Sequence, residues 1–252
     1  MSYSHGSLGM TDQELADRAG VPLRILLAIR AVESAGRLRA VRFEPHVFHA
    51  RTGSNPTCRS SPRSCTTAQI QSGARSDYLS RVPWTPSGRQ GRPSVSYVGS
   101  ETNRAAFERA FRVDPAAAVR STSWGAYQVL GGHLLSAKGP DPEAAVAAFD
   151  ADPEAVGREL FISWMTATGN RTAREAAQRG DVETLAMLYN GSREWGVAMR
   201  RALNNLPESV REAAETIGES PALLSVPIIG ASLLAAAGAF AWWSYSKRKR
   251  AR

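Results

Sequence analysis

The hydrophobic positions from Leu23 to Val32 recur around most of a helical circumference. Leu23, Leu26, Leu27, Ile29 and Val32 therefore predict a core helix. Pro22 suits its first turn, where the missing N–H is not needed, and Gly36 is the expected stop. Glu33 falls in the last turn of this otherwise apolar helix. The next segment, through Phe48, reads as extended and carries Glu44; a hairpin-like return would bring the two carboxyls together. Upstream, Thr11 and Glu14 form a capping-box pattern that opens a helix ending at Gly20.

Further on, amphipathic spacing predicts helices over Asn103–Phe111, from Asp114-Pro115, over Pro142–Phe149 and over Pro153–Thr168. Polar RTAREAAQR is expected to stop at Gly180. Asp181 caps a helix that stops at Gly191, and REWGVAMRRALNNL makes another. Residues 1–10 read as a frayed polar start with no apolar h-region of a signal peptide. Residues 51–102, rich in Gly, Ser, Pro, Thr and Arg, read as an irregular loop or insertion.

The uncharged run 222–245 changes the picture. About 24 residues at about 1.5 Å each reach across a hydrocarbon core of about 30 Å. Trp242, Trp243 and Tyr245 suggest an interfacial aromatic belt, followed by a basic tail, 246–252. The expected organisation is a mainly α (α+β) domain over 11–206, a linker helix over 207–221 and a single transmembrane helix over 222–245. The basic tail is expected to be cytoplasmic and the body extracytoplasmic; the alternative holds the protein on the inner face until lysis.

Composition then divides the charge. Of 31 basic residues five lie beyond residue 246, so residues 1–220 hold 26 against all 23 acidic ones. The body is not a polyanion binder by charge alone. A helix-turn-helix pattern spans residues 12–34, but its second helix is too apolar for a major groove, so no nucleic-acid partner is expected. Cys58 and Cys65 are spaced either for a small disulfide loop or as two surface thiols. No ligand-spaced His or Cys accompanies them, so neither metal nor other cofactor is expected.

Glu33 is the sharpest chemical feature. Burial and the negative end of its helix would both raise its pKa, as protonating a leaving group requires. The ordinary alternative is a solvated glutamate at a helix end, with Glu44 paired to Arg42 or Arg39. Three further patterns stand in order: Val32-Glu33-Ser34 with Phe43-Glu44-Pro45-His46-Val47-Phe48, then Ser123-Trp124-Gly125-Ala126-Tyr127-Gln128, then Leu188-Tyr189-Asn190-Gly191.

In this order they resemble the lysozyme-like lytic transglycosylase and muramidase superfamily, and most closely the N-acetylmuramidases of phage endolysins and their bacterial relatives. The resemblance spans roughly residues 11–206. It implies a lysozyme-like fold, a peptidoglycan substrate and cleavage of the β-1,4 bond between N-acetylmuramic acid and N-acetylglucosamine. Glu33 would be the catalytic acid and Glu44 a second carboxylate. Gln128, Tyr127, Tyr189, Asn190 and Ser123 would line the sugar cleft, while Trp124, His46 and Gly125 would be structural. Two alternatives remain: a lytic transglycosylase with a single glutamate, and a non-catalytic wall-binding or membrane-disrupting protein.

Overall fold

A computed structural model describes residues 10–84 and 102–210 and divides the chain into two compact units. The first joins residues 1–37 to 165–252; the second is residues 38–164.

In the first unit, α1 (Asp12–Ala19) opens with the capping box and closes on left-handed Gly20. Helix α2 (Leu23–Ser34) buries Ile25, Leu26, Ala28 and Ile29, each worth about 1.5–3 kcal/mol for the larger side chains. With that face packed inward, α2 is unavailable as a groove-reading helix. Its stop is Ala35, one residue before the expected glycine, at φ 54°, with Gly36 also left-handed. After the 3-10 turn Thr168–Asn170 come α12 (Arg171–Arg179), α13 (Val182–Tyr189) and α14 (Arg193–Asn204). Helix α2 packs on α1 and α14, and α13 packs on both α12 and α14. Arg30 bonds Asp12 at 2.9 Å, and Gln178 donates to the Gly20 carbonyl at 2.9 Å, pinning the turn between α1 and α2.

The second unit is built on a three-stranded antiparallel sheet in the order β1 (Val41–Phe43), β2 (Thr122–Trp124), β3 (Val129–Leu130). Val41 faces Trp124, Phe43 faces Thr122, and Trp124 faces Val129. Around it lie α3 (Pro45–Thr52), α4 (Pro56–Ser60), a 3-10 turn at Pro62–Ser64, α5 (Thr67–Gly73) and α6 (Ser76–Arg81). These are followed by α7 (Asn103–Phe111), α8 (Pro115–Arg120), α9 (Gly132–Lys138), α10 (Pro142–Ala151) and α11 (Pro153–Thr166), whose last two residues fall in the first unit. The core centres on Trp124, which is fully buried with its ring edge-to-face on Phe107 at 5.1 Å and on Phe149 at 5.0 Å.

Two expectations are revised here. The segment after Phe43 is a helix, not an extended run, because Glu44-Pro45 starts one. Residues 51–84 are not irregular: three short helices and a 3-10 turn occupy them, while 85–101 lie outside the described residues. A satellite core of Ala50, Cys58, Cys65, Ile70 and Trp84 holds this region, with Cys58 and Cys65 joined as a disulfide. Closing a loop of this length lowers unfolded-chain entropy by the equivalent of about 2–3 kcal/mol. Replacing both cysteines with serine is expected to lower stability by about that amount. The drop would be read as a lower urea midpoint with unchanged slope; an unchanged midpoint would show that the bond closes no stabilising loop.

The expected transmembrane helix is also corrected. Among the described residues no helix is long and apolar enough to cross a membrane. The longest, α11, has 14 residues. That is about 21 Å of helix against the roughly 30 Å of a hydrocarbon core. Residues 222–245, on which the expectation rested, lie outside the described residues, as does the linker segment from residue 211. Membrane tethering, the membrane partner, the extracytoplasmic body with cytoplasmic tail, and the inner-face alternative therefore form no part of the functional reading.

Candidate active site

Glu33 occupies the last turn of α2, where the chain leaves the helix through two left-handed residues. The Ala35 N–H bonds the Ala31 carbonyl at 3.1 Å, and Arg37 Nε donates to the Ser34 carbonyl at 2.9 Å. These bonds fix the end of α2, so the Glu33 side chain, half-buried, leaves from a defined point. Ser34, its neighbour, is buried and donates back to the Arg30 carbonyl at 3.3 Å.

The carboxyl receives a hydrogen bond from the end of α13, 157 residues away: Asn190 Nδ2 donates to Glu33 Oε1 at 3.3 Å. Asn190 is the C-cap of α13, and Gly191 continues the turn at φ 75°. Tyr189 stacks on Trp195 of α14, with centroids 5.4 Å apart and planes 17° apart. The first unit thus joins the Val-Glu-Ser and Leu-Tyr-Asn-Gly patterns.

The second unit joins the other two. Glu44 sits at the N-cap of α3, its N–H donating to the Ser121 carbonyl at 2.8 Å. The residue is 5% exposed, with Oε2 3.6 Å from His46 Nε2. Behind it, Trp84 packs over His46 and His49, with centroids 6.4 and 6.1 Å away. Burial pushes the His49 imidazole below its ordinary pKa, partly offset by its bond to the Val82 carbonyl. The neutral ring donates Nε2–H to that carbonyl at 2.7 Å, tying the chain before Trp84 to α3.

The Gly-Ala-Tyr-Gln run is the turn between β2 and β3. Gly125 has φ 73°, and an added Cβ would lie 3.3 Å from Gly157 Cα, so α11 approaches as only a glycine permits. Gln128, at φ 51°, donates through Nε2 to the Gly125 carbonyl at 2.9 Å and to the Ala40 carbonyl at 3.3 Å. Its amide hydrogens are thereby used inside the turn, which leaves Oε1 as the group it can offer a sugar hydroxyl. Tyr127 is 2% exposed, its ring 4.5 Å from that of Phe161, and Ser123 is buried in the central strand. Neither presents a surface to a sugar; both build the wall beneath the turn. Trp124 and Gly125 are likewise packed inside.

Of the expected cleft residues, Asn190, Tyr189 and Gln128 remain at least partly accessible. Sequence reasoning missed two contacts, the Asn190 bond to Glu33 and the Trp195 ring beneath Tyr189. Trp195 had a signal, an aromatic just inside the Ser192-capped helix; the Asn190 contact had none, because its partners are so far apart in the chain.

By its family match the chain is a lysozyme-like glycoside hydrolase, and a mainly helical fold with a short antiparallel sheet accords with that class. The chain belongs to the N-acetylmuramidase family, whose family model matches residues 22–205. It is similar in fold to the crystal structure of the Burkholderia AP3 phage endolysin, at a TM-score of 0.51 and 24% identity over 81% of this chain and 70% of that one. Among curated proteins none matches it.

Proposed function

We propose that the chain hydrolyses the β-1,4 bond between N-acetylmuramic acid and N-acetylglucosamine of peptidoglycan, with Glu33 as the proton donor. The observation that carries this reading is the Asn190 amide bonded to Glu33 Oε1, which orients the carboxyl at the end of α2. In this reading the carboxyl so held delivers its proton to the leaving glycosidic oxygen. Departure of that oxygen leaves an oxocarbenium-like sugar, which a second carboxylate stabilises directly or through an activated water. Glu44 is assigned that role on its motif alone; it is buried, with its N–H on the Ser121 carbonyl and Oε2 3.6 Å from His46 Nε2, so water or sugar must reach it by a local opening. Tyr189 and Gln128 supply sugar contacts, the first through a ring backed by Trp195 and the second through Oε1.

Mass spectrometry of the fragments released from purified peptidoglycan tests this. Hydrolysis leaves reducing-end muramic acid, and Glu44→Gln then removes most of the activity. Fragments lighter by one water, carrying 1,6-anhydro ends and still formed by Glu44→Gln, would replace hydrolysis with transglycosylation by Glu33 alone. A wall that releases no fragments would overturn both.

A further inference from the structure

A concavity of about 660 Å³ in the second unit belongs to neither carboxylate. Three helices converge on it. Arg51 and Thr52 come from the end of α3, Arg59 and Ser60 from α4, and Asp114 and Arg120 from the two ends of α8. We propose that this pocket binds a phosphate ester of a polyol or sugar, of the kind found in phosphate-bearing wall polymers; the wall as its source rests on the peptidoglycan reading above.

The charge balance comes first. Three guanidinium groups line the pocket against one carboxylate, and Asp114 already accepts the Ala117 N–H at 2.9 Å as a helix cap. Arg59 and Arg120 are exposed and form no ion pair among the described residues. Each of the three arginines lies in the last turn of its own helix, where it complements the helix dipole. That role is local, and it does not require all three to face one cavity.

Donor chemistry narrows the ligand. Thr52 Oγ1 donates to the Phe48 carbonyl at 2.9 Å, and Ser60 Oγ donates to the Thr57 carbonyl at 3.1 Å. The hydroxyl hydrogens are thus spent inside their helices. Recognition falls to the guanidinium forks, which match phosphate oxygens two at a time. Size narrows it again, because pockets of about 300–1,000 Å³ hold small organic molecules, and a bare phosphate fills only a small part of one. The Cys58–Cys65 bond anchors the five-residue helix that carries Arg59, so one wall of the pocket is covalently braced.

Calorimetric titration of the full chain with glycerol 3-phosphate, with inorganic phosphate and with glycerol tests the site. Saturable binding of glycerol 3-phosphate, tighter than phosphate and absent for glycerol, is expected. Arg59→Gln and Arg120→Gln should each weaken it by about tenfold. Asp114→Asn, which preserves a good helix cap, should tighten it, a gain that misfolding cannot produce. Absence of saturable binding, or affinities unmoved by all three variants, would overturn the site.

The source is tested by sedimenting the Glu33→Gln variant with wall that retains or lacks its phosphodiester polymers. Preference for the phosphate-bearing wall supports the wall source. Equal sedimentation, with glycerol 3-phosphate still bound, overturns that source and leaves a soluble phosphate ester as ligand. None of these readouts uses glycosidase activity, so failure of the muramidase reading and failure of this one are separable.

Discussion

Glu33→Gln is expected to clear purified peptidoglycan about 10²–10⁴ times more slowly than the parent chain, the usual contribution of a positioned general acid. The swap keeps shape and keeps an oxygen at Oε1 to accept from Asn190 Nδ2, now 3.3 Å away. What it removes is the transferable proton. Thermal unfolding should therefore be unchanged while turbidity clearance collapses. Asn190→Ala is expected to cost less, roughly tenfold, because it leaves the acid and removes only its orienting bond. Clearance by Glu33→Gln at the parental rate would reject Glu33 as the acid.

Gly131→Ala should be the most damaging small substitution in the described part of the second unit. Gly131 has an ordinary φ of −64°, so the reason is space and not backbone conformation. An added Cβ would lie 1.9 Å from the Val119 carbonyl oxygen and 2.7 Å from Trp124 Nε1. Those two atoms bond each other at 3.4 Å, and the Gly131 N–H is itself bonded to the Thr122 carbonyl at 2.8 Å. No flexible side chain can give way. Overpacking together with the loss of the buried indole bond is expected to cost about 3–5 kcal/mol, a fall of about 10 °C in melting temperature. Gly132→Ala is the control, since its Cβ meets nothing within 4 Å. Equal melting of the two variants would show that the turn after β3 yields.

These two predictions differ in how far the sequence could have supplied them. Glu33 was legible because α2 is long and its apolar positions recur with helical spacing, which places the glutamate in the last turn without reference to any other element. Helix α3 was not legible. Pro45 through Ala50 are all buried, so the segment has no polar face to reveal its period. Strands β2 and β3 run three and two residues, too short for alternation to show. Short α4, α5 and α6 are largely polar; α4 and α5 are held by a satellite core closed by a disulfide, which spacing alone left open beside free thiols, and α6 stacks Tyr78 on Phe48.

The candidate site divides in the same way. Residue types and motif order named Glu33, Glu44, Gln128, Tyr189 and Asn190, but motif order treats neighbours alike. It placed Tyr127 and Ser123 beside the sugar, whereas packing puts both inside, Tyr127 against Phe161 and Ser123 in the central strand. The uncharged run 222–245 showed how far hydropathy alone leads. It meets the length and polarity of a membrane span but lies outside the described residues, among which no helix has that character.

By itself the sequence determined the helical periods, the caps at Thr11 and Asp181, and the chemistry available in each motif, because these depend on residues within a turn or two of one another. Only the tertiary structure decided which side chains meet. The Asn190 bond to Glu33 spans 157 residues, the Gln128 bond to the Ala40 carbonyl spans 88, and the three arginines of the phosphate pocket come from three helices. Such contacts form where the chain buries its apolar faces together, and no local pattern encodes where those faces bring distant polar groups.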